Sequence, residues 1–170
     1  LNVLYYTITQ GILSPEGGIP GEDAEDENPE AGASSPRVSA ISANLEHTCA
    51  LIDTGAVRCW GNGADGRLGY NNTANVGDGV GDSILTAGDV PVGGTATQIA
   101  AGGAHTCALL DTGAVRCWGR GTDGQLGYGD TANVGDSEAT SIINAGDVPI
   151  GQTATQITAG NLHTCALLST

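Results

Sequence analysis

Cysteine is the residue type in this chain whose spacing points most directly to chemistry. Cys49 and Cys59 lie five positions on either side of Thr54, and Cys107 and Cys117 repeat the arrangement further along. Equal offsets from a turn place two side chains opposite each other on neighbouring strands of an antiparallel hairpin, with Cα atoms about 4.5–5.5 Å apart. A disulfide can bridge that separation. We therefore expect two disulfides, each adding about 2–3 kcal/mol of stability, and an oxidising compartment.

Two other interpretations of these cysteines stay open. They could be free buried thiols, or Cys49 and Cys59 could bind zinc with His47, since thiolate and imidazole are zinc ligands. Such a site would have three ligands, and the chain has no Cys-x-x-Cys pair. The fifth cysteine, Cys165, has no partner at the spacing of the other pairs, so we expect it to be unpaired or bonded to another subunit.

Acidic loop residues are the remaining candidates for chemistry. Asp78, Asp82 and Asp136 lie among Asn and Gly, in turns of the kind that supply oxygen ligands to calcium. The alternative is ordinary turn chemistry, in which Asp accepts hydrogen bonds from nearby backbone. No Gly-x-Ser-x-Gly motif or comparable nucleophile and base pair is present. We expect no catalytic residue, no metal centre and no cofactor, with calcium as the single cofactor candidate.

These residues recur because the chain is built from a tandem repeat. Residues 41–98 align with 99–156 without a gap and are identical at 40 of 58 positions, and 157–170 begin a third copy. In each copy a β-prone segment precedes the hairpin HTCALL–AVRCWG, and a long loop rich in Gly, Asp and Asn follows. Three or four short strands per repeat, with no helical periodicity, predict an all-β fold of propeller blades.

Three further residue types recur with the repeat. A histidine begins each HTCALL segment, where we expect it to hydrogen bond to the backbone. A tryptophan ends the return strand and is expected to pack between blades, and an arginine two residues earlier is expected to form a surface ion pair with an acid. The positions are His47, His105, His163, Trp60, Trp118, Arg58 and Arg116.

The recurring motifs resemble the repeats of the regulator-of-chromosome-condensation family, in its bacterial, cysteine-containing extracellular form. The resemblance rests on the AAGxxHTCAL segment, the GAVRCWG return strand and the DGRLGY or DGQLGY loop at 65–70 and 123–128, and it covers residues 41–170. It implies a β-propeller with four-stranded blades, usually seven. Two full repeats and part of a third predict an incomplete ring. The family's nucleotide exchange on a small GTPase is not expected, because no motif for it is found.

Residues 1–13, which precede the repeats, are rich in branched and aromatic side chains and predict a β-strand with two largely apolar faces. Residues 14–40 hold seven acidic residues and four prolines, which predict an extended acidic linker. We expect residues 1–13 to pair with the open sheet edge of the third repeat, in their own chain or in another subunit; a loose terminus is the alternative. The residues of this assembly strand are Leu1, Val3, Leu4, Tyr5, Tyr6 and Ile8.

Composition disfavours several classes of function. A net charge of −14 with no lysine disfavours nucleic acids and anionic membrane surfaces, and no apolar run is long enough for membrane insertion. We predict a non-enzymatic extracellular or cell-surface structural protein that binds copies of itself, as a fibre or surface multimer. The alternative is a protein-binding module within a larger secreted closed propeller, with other surface proteins as its partners.

Overall fold

The computed structural model describes residues 35–169, in which eight β-strands and two one-turn α-helices alternate with long loops. The first repeat contributes three strands and one helix, the second repeats this order, and the third contributes two strands. The elements are β1 (Val38–Asn44), β2 (His47–Ile52), β3 (Val57–Gly61), α1 (Ile84–Ala87), β4 (Ala96–Ala101), β5 (His105–Leu110), β6 (Val115–Gly119), α2 (Ile142–Ala145), β7 (Ala154–Ala159) and β8 (Thr164–Leu168).

The strands form three antiparallel sheets, one for each repeat. The order is β1-β2-β3 in the first sheet, β4-β5-β6 in the second and β7-β8 in the third. The β2–β3 and β5–β6 hairpins each turn at a glycine with positive φ, Gly55 at 84° and Gly113 at 80°, a conformation that residues with a side chain rarely adopt. The all-β fold of antiparallel, propeller-type units predicted from the repeat is confirmed.

Three strands, rather than four, form in each full repeat of the described residues. The place of a fourth strand is taken by a single bridge, between Gly61 and Val76 in the first repeat and between Gly119 and Val134 in the second. In each repeat the loop between the two bridged residues is held mainly by turns and side-chain hydrogen bonds. One example is the amide of Gly63, which donates to Asn75 Oδ1. The long loop therefore remains irregular while its ends are fixed to the sheet.

The two helices were not predicted from the sequence, because a single turn shows no helical periodicity. Each begins after a serine that caps it: the Ser83 hydroxyl accepts from Thr86 N, and the Ser141 hydroxyl accepts from Asn144 N. The second helix anchors the loop by burying Ile142 completely. Among the described residues, no helix has the length and apolar character required to cross a membrane.

The core lies within and between the repeats. Its largest fully buried side chain, Trp118, belongs to the second sheet but donates its indole N–H to Arg67 O in the loop of the first repeat. Gly69 in that loop has φ of 82°, and a Cβ there would lie 2.8 Å from the Trp118 indole nitrogen. The glycine of the DGRLGY motif therefore leaves room for the tryptophan of the following repeat.

Candidate functional site

The cysteines of each full repeat lie directly opposite each other, as the equal spacing predicts. Cys49 pairs with Cys59 and Cys107 with Cys117 in the strand register, and both pairs form disulfides with Cα atoms 4.1 Å apart. All four are buried. Cys165 is a free, exposed thiol. The sulfurs that could have ligated zinc with His47 are therefore bonded to each other in this structure.

Removing one hairpin disulfide is expected to lower the free energy of unfolding by about 2–3 kcal/mol, because the short covalent loop no longer restricts the unfolded chain. The variant Cys49→Ala/Cys59→Ala tests this in urea unfolding followed by circular dichroism. Cys165→Ala is the matched control and should leave the unfolding midpoint unchanged, since its thiol is exposed and unbonded. Peptide mapping without reduction should find two disulfides and one thiol per chain; a different pairing would contradict the assignment.

The recurring histidines connect one repeat to the next. His47 Nε2 lies 2.9 Å from Thr106 Oγ1, and His105 Nε2 lies 2.9 Å from Thr164 Oγ1. The expectation of a backbone partner was wrong, because the partner is a threonine hydroxyl of the following repeat. The Thr106 hydroxyl donates to Arg67 O, so it accepts from His47 Nε2–H.

This geometry leaves one ring nitrogen of each buried histidine without a partner. The Nδ1 atoms of His47 and His105 are buried and accept no hydrogen bond. Burial lowers the pKa of His47 to about 4, helped by the positive charge of Arg67 and by His105. Burial also lowers the pKa of His105 to about 4, helped by His163. We call the contact between two consecutive repeats a seam. Both seams therefore hold a neutral imidazole near neutral pH.

A buried arginine with two exposed carboxylate partners distinguishes the first repeat from the second. The Arg67 guanidinium is almost fully buried and pairs with Glu46 at 2.9 Å and Asp65 at 3.2 Å. In the second repeat Gln125 replaces the arginine and Ala104 replaces the glutamate. Sequence reasoning missed this pair, although the joint change of an acid and a base between aligned repeats was a visible signal.

The surface arginines behave as predicted. Arg58 pairs with Asp89 at 2.6 Å, and Arg116 pairs with Asp147 at 2.8 Å. Each pair ties a return strand to the loop of its own repeat, 31 residues away along the chain. The guanidinium of Arg116 also donates to Val92 O in the loop of the first repeat. The arginine therefore contributes to the contact between repeats as well as to the surface.

The three calcium candidates accept hydrogen bonds from residues of their own loops. Asp78 accepts from Asn75 Nδ2, Asp82 from the amide of Gly77, and Asp136 from the Thr140 hydroxyl. Within residues 35–169, no three His, Cys, Asp or Glu side chains are grouped closely enough to hold a metal ion. The carboxylates are thus used for turn geometry in the described part of the chain.

Strand alternation gives each sheet two distinct faces. The side chains of His, Cys and the first Leu in HTCALL point to one face, which we call the back face, and those of Thr and Ala point to the other, the front face. The back face of each repeat meets the front face of the next, as the bond from His47 to Thr106 shows. Strand register places Ile41 and Trp60 on the front face of the first repeat, and Gln156 on the back face of the third.

The outermost faces of the array are uncovered among the described residues. Ile41 on the front of the first repeat is 65% exposed, whereas Ile99 at the same position of the second repeat is 7% exposed. Leu167 on the back of the third repeat is 62% exposed, whereas Leu51 in the first is 5% exposed. A shallow cleft lined by Leu45 and Glu46 of the β1–β2 turn, and by Thr48 and Trp60 of the front face, lies at the edge of the first sheet. These two faces are the candidate binding surfaces.

A second shallow cleft lies beside the loop of the second repeat. Tyr128, Asp130, Asp147 and Pro149 line it. The single proton of the Tyr128 hydroxyl is shared between the carbonyl oxygens of Cys117 and Gly146, and burial raises the pKa of that phenol. Asp147 is engaged by Arg116. Asp130 accepts from the amide of Ala132, so these polar side chains of the cleft take part in holding the loop.

The predicted assembly strand at residues 1–13 lies outside the described residues, as does most of the predicted linker. Their pairing therefore stays a prediction. The same holds for the assignment of Leu1, Val3, Leu4, Tyr5, Tyr6 and Ile8 to that strand.

The fold and the recurring motifs define a protein of tandem propeller-type repeats, and sequence comparison identifies their family. The family described as regulator of chromosome condensation (RCC1) repeat matches residues 38–67 and 96–125, and a second profile of the same description matches residues 112–167. The chain belongs to the RCC1 repeat family.

Two relatives from Arabidopsis thaliana illustrate how much of a family member this chain spans. The mitochondrial RCC1 domain-containing protein RUG3 is 33% identical over 135 residues, which are 77% of this chain and 28% of RUG3. The ultraviolet-B receptor UVR8 is 32% identical over 134 residues, which are 77% of this chain and 27% of UVR8. The chain thus spans less than a third of the length of these relatives.

Solved structures agree on the fold. Human WBSCR16 superposes with a TM-score of 0.58 at 25% identity, covering 79% of this chain and 32% of that one. Prp20p from Saccharomyces cerevisiae superposes with a TM-score of 0.60 at 14% identity, covering 81% of this chain and 33% of Prp20p. The second likeness supports the fold alone.

Proposed function

We propose that this chain is a non-enzymatic, extracellular protein-binding module whose partners include copies of itself. The observation that carries the proposal is the contrast between equivalent side chains in the repeats. Ile99 is buried between two repeats, whereas Ile41, at the same position of the first repeat, is largely exposed. An exposed apolar surface whose counterpart in the next repeat is covered by protein favours binding of another protein.

Family members support a binding role. The structure of Prp20p was described together with its binding to Gsp1p and histones, and yeast RCC1 (Prp20) also crystallised with Kap60 bound. Those partners belong to that protein. What we propose for this chain is the same general use, in which propeller repeats present surfaces to other proteins.

Covalent chemistry supports the extracellular part of the proposal. Two disulfides within 170 residues are typical of proteins that fold in an oxidising environment. Production in a bacterial periplasm should therefore give a protein with higher resistance to urea than production in a reducing cytosol. Equal resistance of the two preparations, with the thiols of the cytosolic one shown to be free, would contradict an extracellular role for the disulfides.

Self-assembly into a fibre or surface multimer, with strand exchange between subunits, is the finer form of the proposal. Light scattering of the full chain over a dilution series tests it, and species larger than one chain are expected. A monomer at every concentration would contradict self-assembly and favour the second candidate, a module whose uncovered faces meet further repeats of one propeller. Deleting residues 1–13 tests strand exchange separately, because assembly that is unchanged by the deletion would exclude that route.

A further inference from the structure

The uncovered faces at the two ends of the array are complementary, and we propose that they bind each other between copies of this chain. In this arrangement the front face of the first repeat of one copy receives the back face of the third repeat of a second copy. The inference rests on the proposed self-assembly and names the surfaces that carry it. These surfaces are distinct from the edge strand to which residues 1–13 are assigned.

Apolar burial would provide the main driving force. Ile41 would take the place that Ile99 and Ile157 occupy in the seams between repeats, where both are buried. Leu167 would take the place of Leu51 and Leu109, which the following repeat covers. Docking would remove both exposed side chains from water in one contact, which is favourable in proportion to the apolar area buried.

A histidine–threonine hydrogen bond would fix the orientation. The two existing seams each contain one, with a nitrogen to oxygen distance of 2.9 Å. His163 on the uncovered back face and Thr48 on the uncovered front face are the same residue types at the same positions. The ring of His163 already lies against Gly160, as the ring of His105 lies against Gly102. The ring of His163 thus has the same position on its own sheet as the ring of His105 has in the second seam.

Two further hydrogen bonds would come from glutamine. Gln98 bridges the second seam, since its Nε2 donates to Ile157 O at 3.0 Å and its Oε1 accepts from Ile157 N at 2.8 Å. Gln156 is at the same position in the third repeat and is exposed. In the docked pair it would meet the backbone of Ile41, the counterpart of Ile157.

Charge does not oppose the contact locally. The charged side chains beside the front face of the first sheet are already paired, Arg58 with Asp89 and Glu46 with Arg67. Each copy nevertheless carries a net charge of −14, so the copies repel each other at long range. Added salt screens that repulsion. Association is therefore expected to strengthen between low and moderate ionic strength.

The contact is head to tail, because residues 35–169 of each copy offer one uncovered front face and one uncovered back face. Such an interface is heterologous and continues into rings or filaments. It differs in this respect from a two-fold dimer, which uses the same patch twice. That difference allows the surfaces to be tested by mixing two variants.

The test uses the full chain in a Cys165→Ser background, so that no intermolecular disulfide contributes. Ile41→Asp blocks the front face and Leu167→Asp blocks the back face. Val80→Asp is the matched control, because Val80 is fully exposed in the long loop of the first repeat and belongs to none of the strands that form the two faces. Mass is measured by light scattering after size exclusion, with circular dichroism to verify the fold of each variant.

We expect each blocked variant to be monomeric, with at least a tenfold loss of association, while Val80→Asp assembles as the parent does. Mixing the two blocked variants should restore a complex of two chains and nothing larger, since one intact front and one intact back remain. Assembly that persists in both blocked variants would overturn these surfaces while leaving self-assembly standing. A parent protein that is monomeric throughout would overturn both proposals.

Discussion

Replacing Trp118 by alanine is expected to lower the free energy of unfolding by about 3–5 kcal/mol, the range for truncating a buried tryptophan. The indole is fully buried, and its N–H donates to Arg67 O at 3.0 Å. The substitution leaves a cavity between two repeats and leaves the carbonyl of Arg67 with one hydrogen-bond donor fewer. Because the ring lies between repeats, the loss should separate them as well as destabilise the second sheet.

The chain contains its own control for this substitution. Trp60 has the same position in the first repeat but lies on the uncovered front face, where it is partly buried. Trp60→Ala should lower the free energy of unfolding by less than about 1.5 kcal/mol, since less apolar surface leaves the interior. Urea unfolding monitored by circular dichroism, in samples shown to be monomeric, measures both. Equal losses for the two variants would contradict the role of Trp118 as the anchor between repeats.

Local sequence signals explain why the hairpins could be predicted. An Asp-Thr-Gly turn with glycine at positive φ sets the register, and the register alone places Cys49 opposite Cys59. The ion pairs of Arg58 and Arg116 were predictable for a similar reason, because a front-face arginine beside an acidic loop has few other partners. Near-identity of the repeats then extended each local prediction to a second copy.

Features that depend on contacts between repeats could not be predicted in the same way. The partner of His47 is 59 residues away, and nothing in the HTCALL segment itself indicates that Thr106 faces it. The helices α1 and α2 were missed because each is a single turn stabilised by a serine cap. The pair of Arg67 with Glu46 required comparison of the repeats at two positions together, which local patterns do not provide.

Acid is expected to destabilise the protein between about pH 6.5 and pH 4 through the two histidines buried in the seams. Burial holds the pKa of both His47 and His105 at about 4, against 6.5 for an exposed histidine. Protonation would place a charge and an Nδ1–H donor where no acceptor is present. In this pH range the two imidazoles therefore stay neutral in the folded protein, whereas they become protonated in the unfolded chain.

The sign of the effect follows from that difference. Above pH 6.5 both states hold neutral imidazoles, and the contribution to stability is complete. As pH falls towards 4 the unfolded chain binds more protons than the folded one, so the free energy of unfolding decreases. A pKa lowered from 6.5 to about 4 corresponds to about 3 kcal/mol for each histidine. Below about pH 4 this contribution no longer changes.

Single substitutions isolate the histidines from the many carboxylates that also titrate in acid. His105→Gln keeps a side-chain N–H that can reach Thr164 but does not ionise, so its stability should fall less than that of the parent as pH drops. The difference between the two should grow by about 3 kcal/mol across the interval, in urea unfolding at each pH. Val80→Gln is the control, because it replaces a fully exposed side chain by one that does not ionise, and it should follow the parent. Parallel curves for the parent and His105→Gln would show that the seam histidines are already protonated, or exposed, in the folded protein.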